Sequence, residues 1–584
     1  VTAELRAAYE FLRRLENRLQ MLDDRQTHTL PTAALSRERI AVAMGYADWT
    51  ALTQALDGVR GTVTRHFATL LAGTSSVSQR EHAAGQTFAA AWERGADADE
   101  IASALTKVAD APACAALLAE FRGSTLVRRL DGAGRKRLDA LLERCVADLA
   151  SVQQPATALR RVLRILEAIG PRSAYFALLN ENPAARSRLW ELCGYGDFLA
   201  GQIAAAPILL DELIDESLYH ALPSRAELER DAADRLLAAG DGDPEREVEA
   251  LRRFQQAAVF RVAVADLTGR LPLMRVSDWL TDIAEIIVEH AMQLAWRQMI
   301  AQFGVPMCGM DSARRPVRVA AIGYGKLGGR ELGYSSDLDL VFVHDSDGER
   351  QETDAAKPVD NQVFFVRLAQ RIVHLLSMHS AAGRLYEVDQ RLRPSGKGGM
   401  LITRIGAFAE YQRNEAWTWE HQALLHARSV AGNPELCVEF ERVRTTTLGE
   451  HVKRDSLAAE VRSMRERMRR ELSRAGPGQF DLKQDRGGIA DVEFLAQYWA
   501  LRHAREHPPV AMFSDTIRQL ESLASADLVP QAEVDQLVGA YRAYRTRTHR
   551  LSLEGGLPVV ADSEFTAERA AVVAIWGTVF GAAA

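Results

Sequence analysis

Gly323-Tyr324-Gly325-Lys326-Leu327-Gly328-Gly329-Arg330-Glu331-Leu332-Gly333-Tyr334-Ser335-Ser336-Asp337-Leu338-Asp339-Leu340 is the stretch that decides how this 584-residue chain folds. Pro316 to Ile322, just before it, is an apolar run of strand length, and Leu338 to Val343 reads as a second strand. The glycines between them predict a flexible turn. That turn spells Gly-x-Gly-x-x-Gly, and Asp345 stands near the place where a dinucleotide-binding fold keeps its ribose-binding acid. Three features weigh against a dinucleotide site. Lys326 to Ser336 include Gly328, Gly329 and Gly333, which leaves little room for a full crossover helix. A Walker phosphate loop fails as well, because Lys326 is followed by Leu327 and position 320 is Ala320 rather than glycine. Finally, Asp337 and Asp339 lie two apart at a strand's entry, which points both carboxylates to one face.

Two carboxylates on one face repel unless a cation sits between them or a pKa rises. Mg2+ suits that spacing, since it takes oxygen ligands, keeps several waters and completes its shell with the phosphates of a nucleoside triphosphate. A third carboxylate is expected at Asp389, where Leu385 to Asp389 reads as a further strand running into Arg391-Leu392-Arg393-Pro394-Ser395-Gly396-Lys397-Gly398-Gly399. Asp337, Asp339 and Asp389 are therefore the candidate metal-binding and catalytic residues, and Gly325, Lys326, Ser335, Ser336, Arg391 and Arg393 the candidate nucleotide-binding ones. Lys326 could equally be a surface lysine, and spacing does not rank Arg391 against Arg393. An isolated Asp-x-Asp is more often a solvated turn. Here the Gly-Lys turn upstream, the strand aspartate downstream and the Arg/Gly loop after it jointly match the nucleotidyltransferase layout of the polymerase-β type.

Away from this stretch the sequence is helical. From about Val77 to Phe303 apolar residues recur at three- and four-residue spacing, broken by Gly170-Pro171, Pro183 and the Gly240 to Pro244 turn. Trp417 and Trp419 read as part of a helix, with core packing expected for each. His374 and His379, five apart, are not expected to be ligands. Asp481, Lys483, Asp491 and Glu493 surround Gly487-Gly488 and read either as a helix N-terminus or as a segment that closes the pocket. An internal echo pairs Ala8-Tyr9, Arg13 and Arg18-Leu19 with Ala540-Tyr541, Arg545 and Arg550-Leu551 at the same spacing, which predicts two copies of one closing helix. With a helical pattern already running from Leu5, the chain is expected to begin inside a larger protein. The expected fold is mostly α with an inserted α/β domain, a polymerase-β-like sheet flanked by helical domains. Its expected divisions are 1–72 (tail of an upstream unit), 73–304 (helical linker or regulatory region), 305–445 (catalytic domain) and 446–584 (C-terminal helical domain).

Composition narrows the partners. Apolar residues make up 47% and charged residues 26%, with no stretch long and apolar enough for a membrane span. A net charge of -7 offers no polycation for a nucleic-acid backbone. Cys114, Cys145, Cys193, Cys308 and Cys437 are scattered and odd in number, which fits a reducing cytoplasm rather than a disulfide framework.

The Gly323 to Leu340 stretch also closely resembles the signature of the bifunctional glutamine synthetase adenylyltransferase/adenylyl-removing enzymes. Arg391 to Gly396, Ala416 to Leu424, Phe480 to Lys483, Gly487 to Phe494, Asn180 to Pro183 and Pro207 to Leu213 resemble the same family in the same order. The resemblance implies two nucleotidyltransferase-like units in the parent enzyme, one removing AMP from a tyrosine of glutamine synthetase and one attaching AMP from ATP. The unit present here would be the adenylylating one. It also implies Mg2+ as cofactor, ATP as substrate, glutamine synthetase as protein substrate, and control by the PII signalling protein and glutamine. A uridylyltransferase acting on a signalling protein and a catalytically idle nucleotide-binding module are the alternatives that the residues leave open.

Overall fold

The computed structural model describes residues 2–23, 30–31, 33–71, 78–105, 108–215, 222–240, 242–379 and 383–581. The expected 72/73 boundary, the start of the helical array at Val77 and Asp241 of the Gly240 to Pro244 turn lie outside them. The chain forms two compact units, residues 1–115 with 142–151 and residues 116–141 with 152–584. In the first, α1 (Thr2–Asp23) packs with helices Ala34–Ala43 and Trp49–Leu71. Ala8, Leu15 and Leu19 fall on one face of α1, and the two leucines join Ile40, Leu52 and Leu56 in a small core.

The second unit opens with helices and then inserts a sheet. Asp243 caps α2 (Pro244–Leu267) by accepting hydrogen bonds from the Glu245 and Arg246 amides, with Pro244 in the first turn where its missing N–H costs nothing. The 31-residue α3 (Leu273–Phe303) follows. The main sheet contains β1 (Val319–Gly323), β2 (Leu338–His344), β3 (Val388–Asp389), β4 (Ile402–Arg404) and β5 (Arg428–Gly432). Its order is β3-β2-β1-β5, with β4 pairing the far half of β2. The one-turn helix α4 (Gly325–Gly328) joins β1 to β2, and α5 (Asn361–Ser377) precedes β3. Strand Pro316 to Ile322 is interrupted. Arg315–Pro316 pairs with Pro306–Cys308 in a separate small sheet, and Arg318 breaks the run because Asp345 binds its amide at 2.7 Å and its Nε at 2.6 Å.

Both faces of the main sheet are covered, as its nearly continuous apolar strands require. Val319, Ala321, Leu338, Leu340 and Phe342 pack with α2, α3 and α5, while Ala320, Ile322, Val341 and Val343 face the C-terminal helices. Those helices include α6 (Thr418–Leu425), α7 (Leu457–Leu472), α8 (Ile489–His503) and α9 (Gln531–Leu553), with β6 (Gln479–Asp481) and β7 (Val559–Ala561) forming a two-stranded sheet among them. Period-two alternation puts Asp337 and Asp339 in line with Val341 and Val343 on the C-terminal face. The tryptophan expectation is overturned: Trp417 is 69% and Trp419 37% exposed. Trp417 precedes α6 in extended backbone, and the inner side of α6 is taken by polar groups with partners, Glu420 on the Tyr411 hydroxyl at 2.9 Å and Gln422 on Gln497 at 2.8 Å.

Candidate active site

β1 and β2 run antiparallel, with Gly323 opposite Leu340. This excludes a dinucleotide-binding βαβ unit, which needs parallel strands. Asp345, the decoy for ribose binding, is buried and bound by Arg318 and by Arg315 at 2.8 Å. Its role is structural.

The turn between the strands is built by close approach. Gly325 has φ +52°, and a Cβ there would stand 2.5 Å from Asp339 Oδ2. A Cβ on Gly328 would fall 1.8 Å from the His426 carbonyl. The Tyr324 amide donates to the Asp339 carbonyl at 2.9 Å, so the turn is fastened to the strand that carries the carboxylates. Further along, Arg330 takes a left-handed conformation (φ +54°) and reaches back to Asp282 of α3 at 2.9 Å. Glu331 accepts from the Tyr541 hydroxyl at 2.8 Å and lies 3.4 Å from Arg545, both on α9. Tyr334 donates to Asp266 of α2 at 3.0 Å. Arg330, Glu331 and Tyr334 were absent from the sequence-derived candidates; their partners come from remote helices, and spacing gives no sign of them.

Of the three aspartates, Asp339 and Asp389 stand directly opposite each other in the parallel β2–β3 ladder, and Leu338 pairs with Val388 beside them. Strands about 4.8 Å apart put such a pair on the same face. Burial, then the charges of Asp337 and Asp389, push the Asp339 carboxyl up to about 7, against the pull of Lys326 and Arg391. Asp337 is exposed at the mouth of the strand. Asp389 is held below the usual carboxylate range, first by the Arg391 side chain and then by its backbone: Arg391 Nε donates to Oδ2 at 2.6 Å and Arg391 N to Oδ1 at 2.8 Å. Among the described residues no three acidic, His or Cys side chains enclose a cation by themselves. The donor set nonetheless fits one: oxygen ligands only, an uncompensated charge on Asp339, and a glycine turn that leaves space at its oxygen.

The remaining candidates divide by partner. Arg393 braces its own loop, donating to the carbonyls of Gln390 at 2.8 Å, Gly399 at 3.1 Å and Lys397 at 3.2 Å. Arg391 is exposed and, among the described residues, its side chain holds Asp389 alone. Ser336 Oγ accepts the Gly333 amide at 3.0 Å, and Ser335 Oγ lies 3.4 Å from Ser552 of α9. Lys326 is open to solvent along part of its length, yet its ammonium is held below the ordinary lysine range, chiefly by burial and then by the Lys483 and Arg545 cations. Asp481 and Asp491 are structural: Asp481 accepts the amides of Lys483 and Gln484 at 2.8 and 3.0 Å, and Asp491 is paired with buried Arg465 at 2.7 Å. His374 and His379 are both exposed.

Residues 186–443, which contain the whole main sheet, match the glutamate-ammonia ligase adenylyltransferase family. Along 99% of its length the chain is 43% identical to the bifunctional glutamine synthetase adenylyltransferase/adenylyl-removing enzyme of Thioalkalivibrio sulfidiphilus. The chain is thus similar to that enzyme along almost its whole length. The enzymes of the same name from Pseudomonas syringae pv. tomato and Pseudomonas aeruginosa are 43% and 42% identical, each again over 99% of the chain. The chain spans 60% of the length of these relatives. Residues 1–71 and 455–556 match a second family, GlnD PII-uridylyltransferase. The two halves of the sequence echo thus fall in stretches that match one family.

Proposed function

We propose that this chain transfers AMP from ATP to a tyrosine hydroxyl of glutamine synthetase, releasing pyrophosphate, on a sheet of the polymerase-β nucleotidyltransferase type. The observation that carries the reading is the Asp339–Asp389 register beneath the Gly325 turn, within the region that matches the adenylyltransferase family. Asp337, Asp339 and Asp389 would hold Mg2+. When bound, the ion supplies charge neutralisation on the triphosphate and lowers the cost of ionising the attacking hydroxyl, whose ordinary pKa is about 10. The tyrosine oxygen bonds to the α-phosphorus as the bond to the α,β-bridging oxygen breaks, and the hydroxyl proton passes to a carboxylate of the site or to water.

Gly325 lets the backbone approach the phosphates, and Lys326 stands beside them as a cation. Asp389 becomes available only when Arg391 lets go of it. Arg391 can then turn to the phosphates, which assigns it the mobile role and Arg393 the role of holding the loop. The 305–445 catalytic division, a cytoplasmic setting, and control by PII and glutamine belong to the same proposal. Regulation by PII is supported by the GlnD-like match of residues 455–556. Among the described residues no helix is long and apolar enough to cross a membrane.

The second reading, uridylyl transfer, is favoured only by that match, which lies outside the main sheet. Incubation with glutamine synthetase, Mg2+ and labelled ATP or UTP decides between them. AMP on a tyrosine is expected, with loss of at least about a hundredfold in Asp339→Asn. Transfer of UMP in place of AMP, or undiminished transfer by a folded Asp339→Asn protein, would defeat the proposal.

A further inference from the structure

The C-terminal helices bring a second lysine to the phosphate turn. Lys483 lies between β6 and α8, in a turn fixed at both ends. Asp481 accepts its amide at 2.8 Å, and the Ala490 amide donates to its carbonyl at 3.1 Å. A Cβ on Gly488 would be 2.7 Å from the Leu482 carbonyl, so the backbone there has no freedom to drift. One turn into α8, Glu493 lies 3.5 Å from the Tyr541 hydroxyl. That hydroxyl donates to Glu331 at 2.8 Å, and the Glu331 amide donates to the Lys326 carbonyl at 2.7 Å. Glu331, Tyr541, Arg545 and Glu493 therefore tie the Lys483 turn and the Lys326 turn into one assembly.

Within this assembly no carboxylate binds either lysine: Asp337 and Glu493 act on the Lys326 ammonium, and Glu493 on that of Lys483, only across space. Arg545 is matched by Glu331 at 3.4 Å. Neither the Lys326 nor the Lys483 ammonium has a hydrogen bond or ion pair among the described residues. The two cations are nevertheless close enough for Lys483 to depress Lys326. Two exposed ammonium groups without a bound partner, carried on turns that are locked together, favour an anion between them. The anion at hand is the part of the triphosphate that departs.

We propose that Lys483 binds the β- and γ-phosphates of the nucleoside triphosphate together with Lys326, forming a two-lysine clamp on the leaving pyrophosphate. The inference rests on the nucleotidyl-transfer reading and adds to it a residue from outside the catalytic sheet. The clamp also explains why α8 and α9 are locked to the signature turn: the second lysine is useful only if its turn keeps a fixed distance from the first.

Calorimetric titration of the whole chain with magnesium tripolyphosphate and with AMP tests this. Lys483→Gln should weaken tripolyphosphate binding about tenfold, as loss of one charge-assisted contact implies. AMP, which has no β- or γ-phosphate, should bind within about twofold of the unsubstituted protein, and Lys483→Arg should restore most of the tripolyphosphate affinity. Unchanged tripolyphosphate binding by Lys483→Gln overturns the clamp alone, and so does an equal loss of AMP binding. Absence of both ATP and tripolyphosphate binding in the unsubstituted chain overturns the clamp and the nucleotidyl-transfer reading together.

Discussion

Helices α1 and α9 carry the same Ala-Tyr, Arg and Arg-Leu pattern and put it to different use. In each, the alanine is buried (Ala8, Ala540) and the apolar stripe serves the helix's own core. The tyrosines part company: Tyr541 is 0% exposed and Tyr9 67%. Arg545 reaches Glu331 and donates to its carbonyl at 2.9 Å, whereas Arg13 pairs with Glu16 three residues along its own helix at 2.5 Å. The tyrosine and arginine therefore contribute nothing that a helix needs in order to be a helix. In α9 they receive one carboxylate, that of Glu331, in the turn that carries Lys326. In α9 the pattern fastens the signature turn, whereas in α1 its tyrosine is exposed and its arginine pairs within the helix.

If that is right, removing the carboxylate should hurt most. Glu331→Ala takes the ion-pair partner from the largely buried Arg545 and removes the acceptor of Tyr541. Breaking one side of a buried pair costs about 3–5 kcal/mol. Chemical denaturation should show a loss of that size, together with loss of nucleotide binding. A cost below about 1 kcal/mol would mean that α9 is held by its apolar face alone. Next in size is Tyr541→Phe, which keeps the packing and deletes one hydrogen bond to a buried carboxylate, at about 1–3 kcal/mol. Tyr9→Phe serves as its control, since an exposed hydroxyl has water as an alternative partner.

The same comparison shows what spacing can reveal. The geometry of the candidate site was legible where it is local: strand alternation puts Asp337 and Asp339 on one face, and glycine punctuation marks the turn above them. The Asp345 decoy could be set aside from the short, glycine-rich Lys326 to Ser336 segment before the antiparallel pairing was seen. Glu331 could not be read in this way, because its partner Tyr541 lies 210 residues away. Trp417 and Trp419 were misjudged for a related reason. Core packing is the general expectation for tryptophan, but here Glu420 and Gln422 are themselves buried, hydrogen-bond to Tyr411 and Gln497, and occupy the inner side of α6. Side-chain type set the expectation, and non-local hydrogen bonding decided the outcome.

A smaller effect separates the two helices by pH. Glu493, beside Tyr541, is pushed above the usual carboxylate range by burial first and by Glu331 second. The folded state therefore holds its proton at pH values where the unfolded chain has released it. Stability falls as pH rises from about 4.5 through the folded value, and the full contribution is present only below that window. Glu493→Gln should flatten this slope and stabilise the protein more at pH 8 than at pH 4.5. Thermal midpoints across that range would show it. A slope that survives the substitution unchanged places the proton elsewhere.

The smallest expected effect lies in α1. Arg13 and Glu16 are paired across an i,i+3 spacing with the arginine well exposed. Solvent screening and the entropy of holding two long side chains leave such a pair about 0–0.5 kcal/mol. Arg13→Ala should therefore change the denaturation midpoint hardly at all, and salt should not alter that result. Its counterpart Arg545→Ala should be destabilising by several kcal/mol, because the Glu331 carboxylate it leaves behind is buried. Equal costs at the two positions would mean that the arginine belongs to the helix's own stability and that the likeness between α1 and α9 carries no functional meaning. A difference of several kcal/mol between identical substitutions at equivalent places assigns the arginine to the turn it faces.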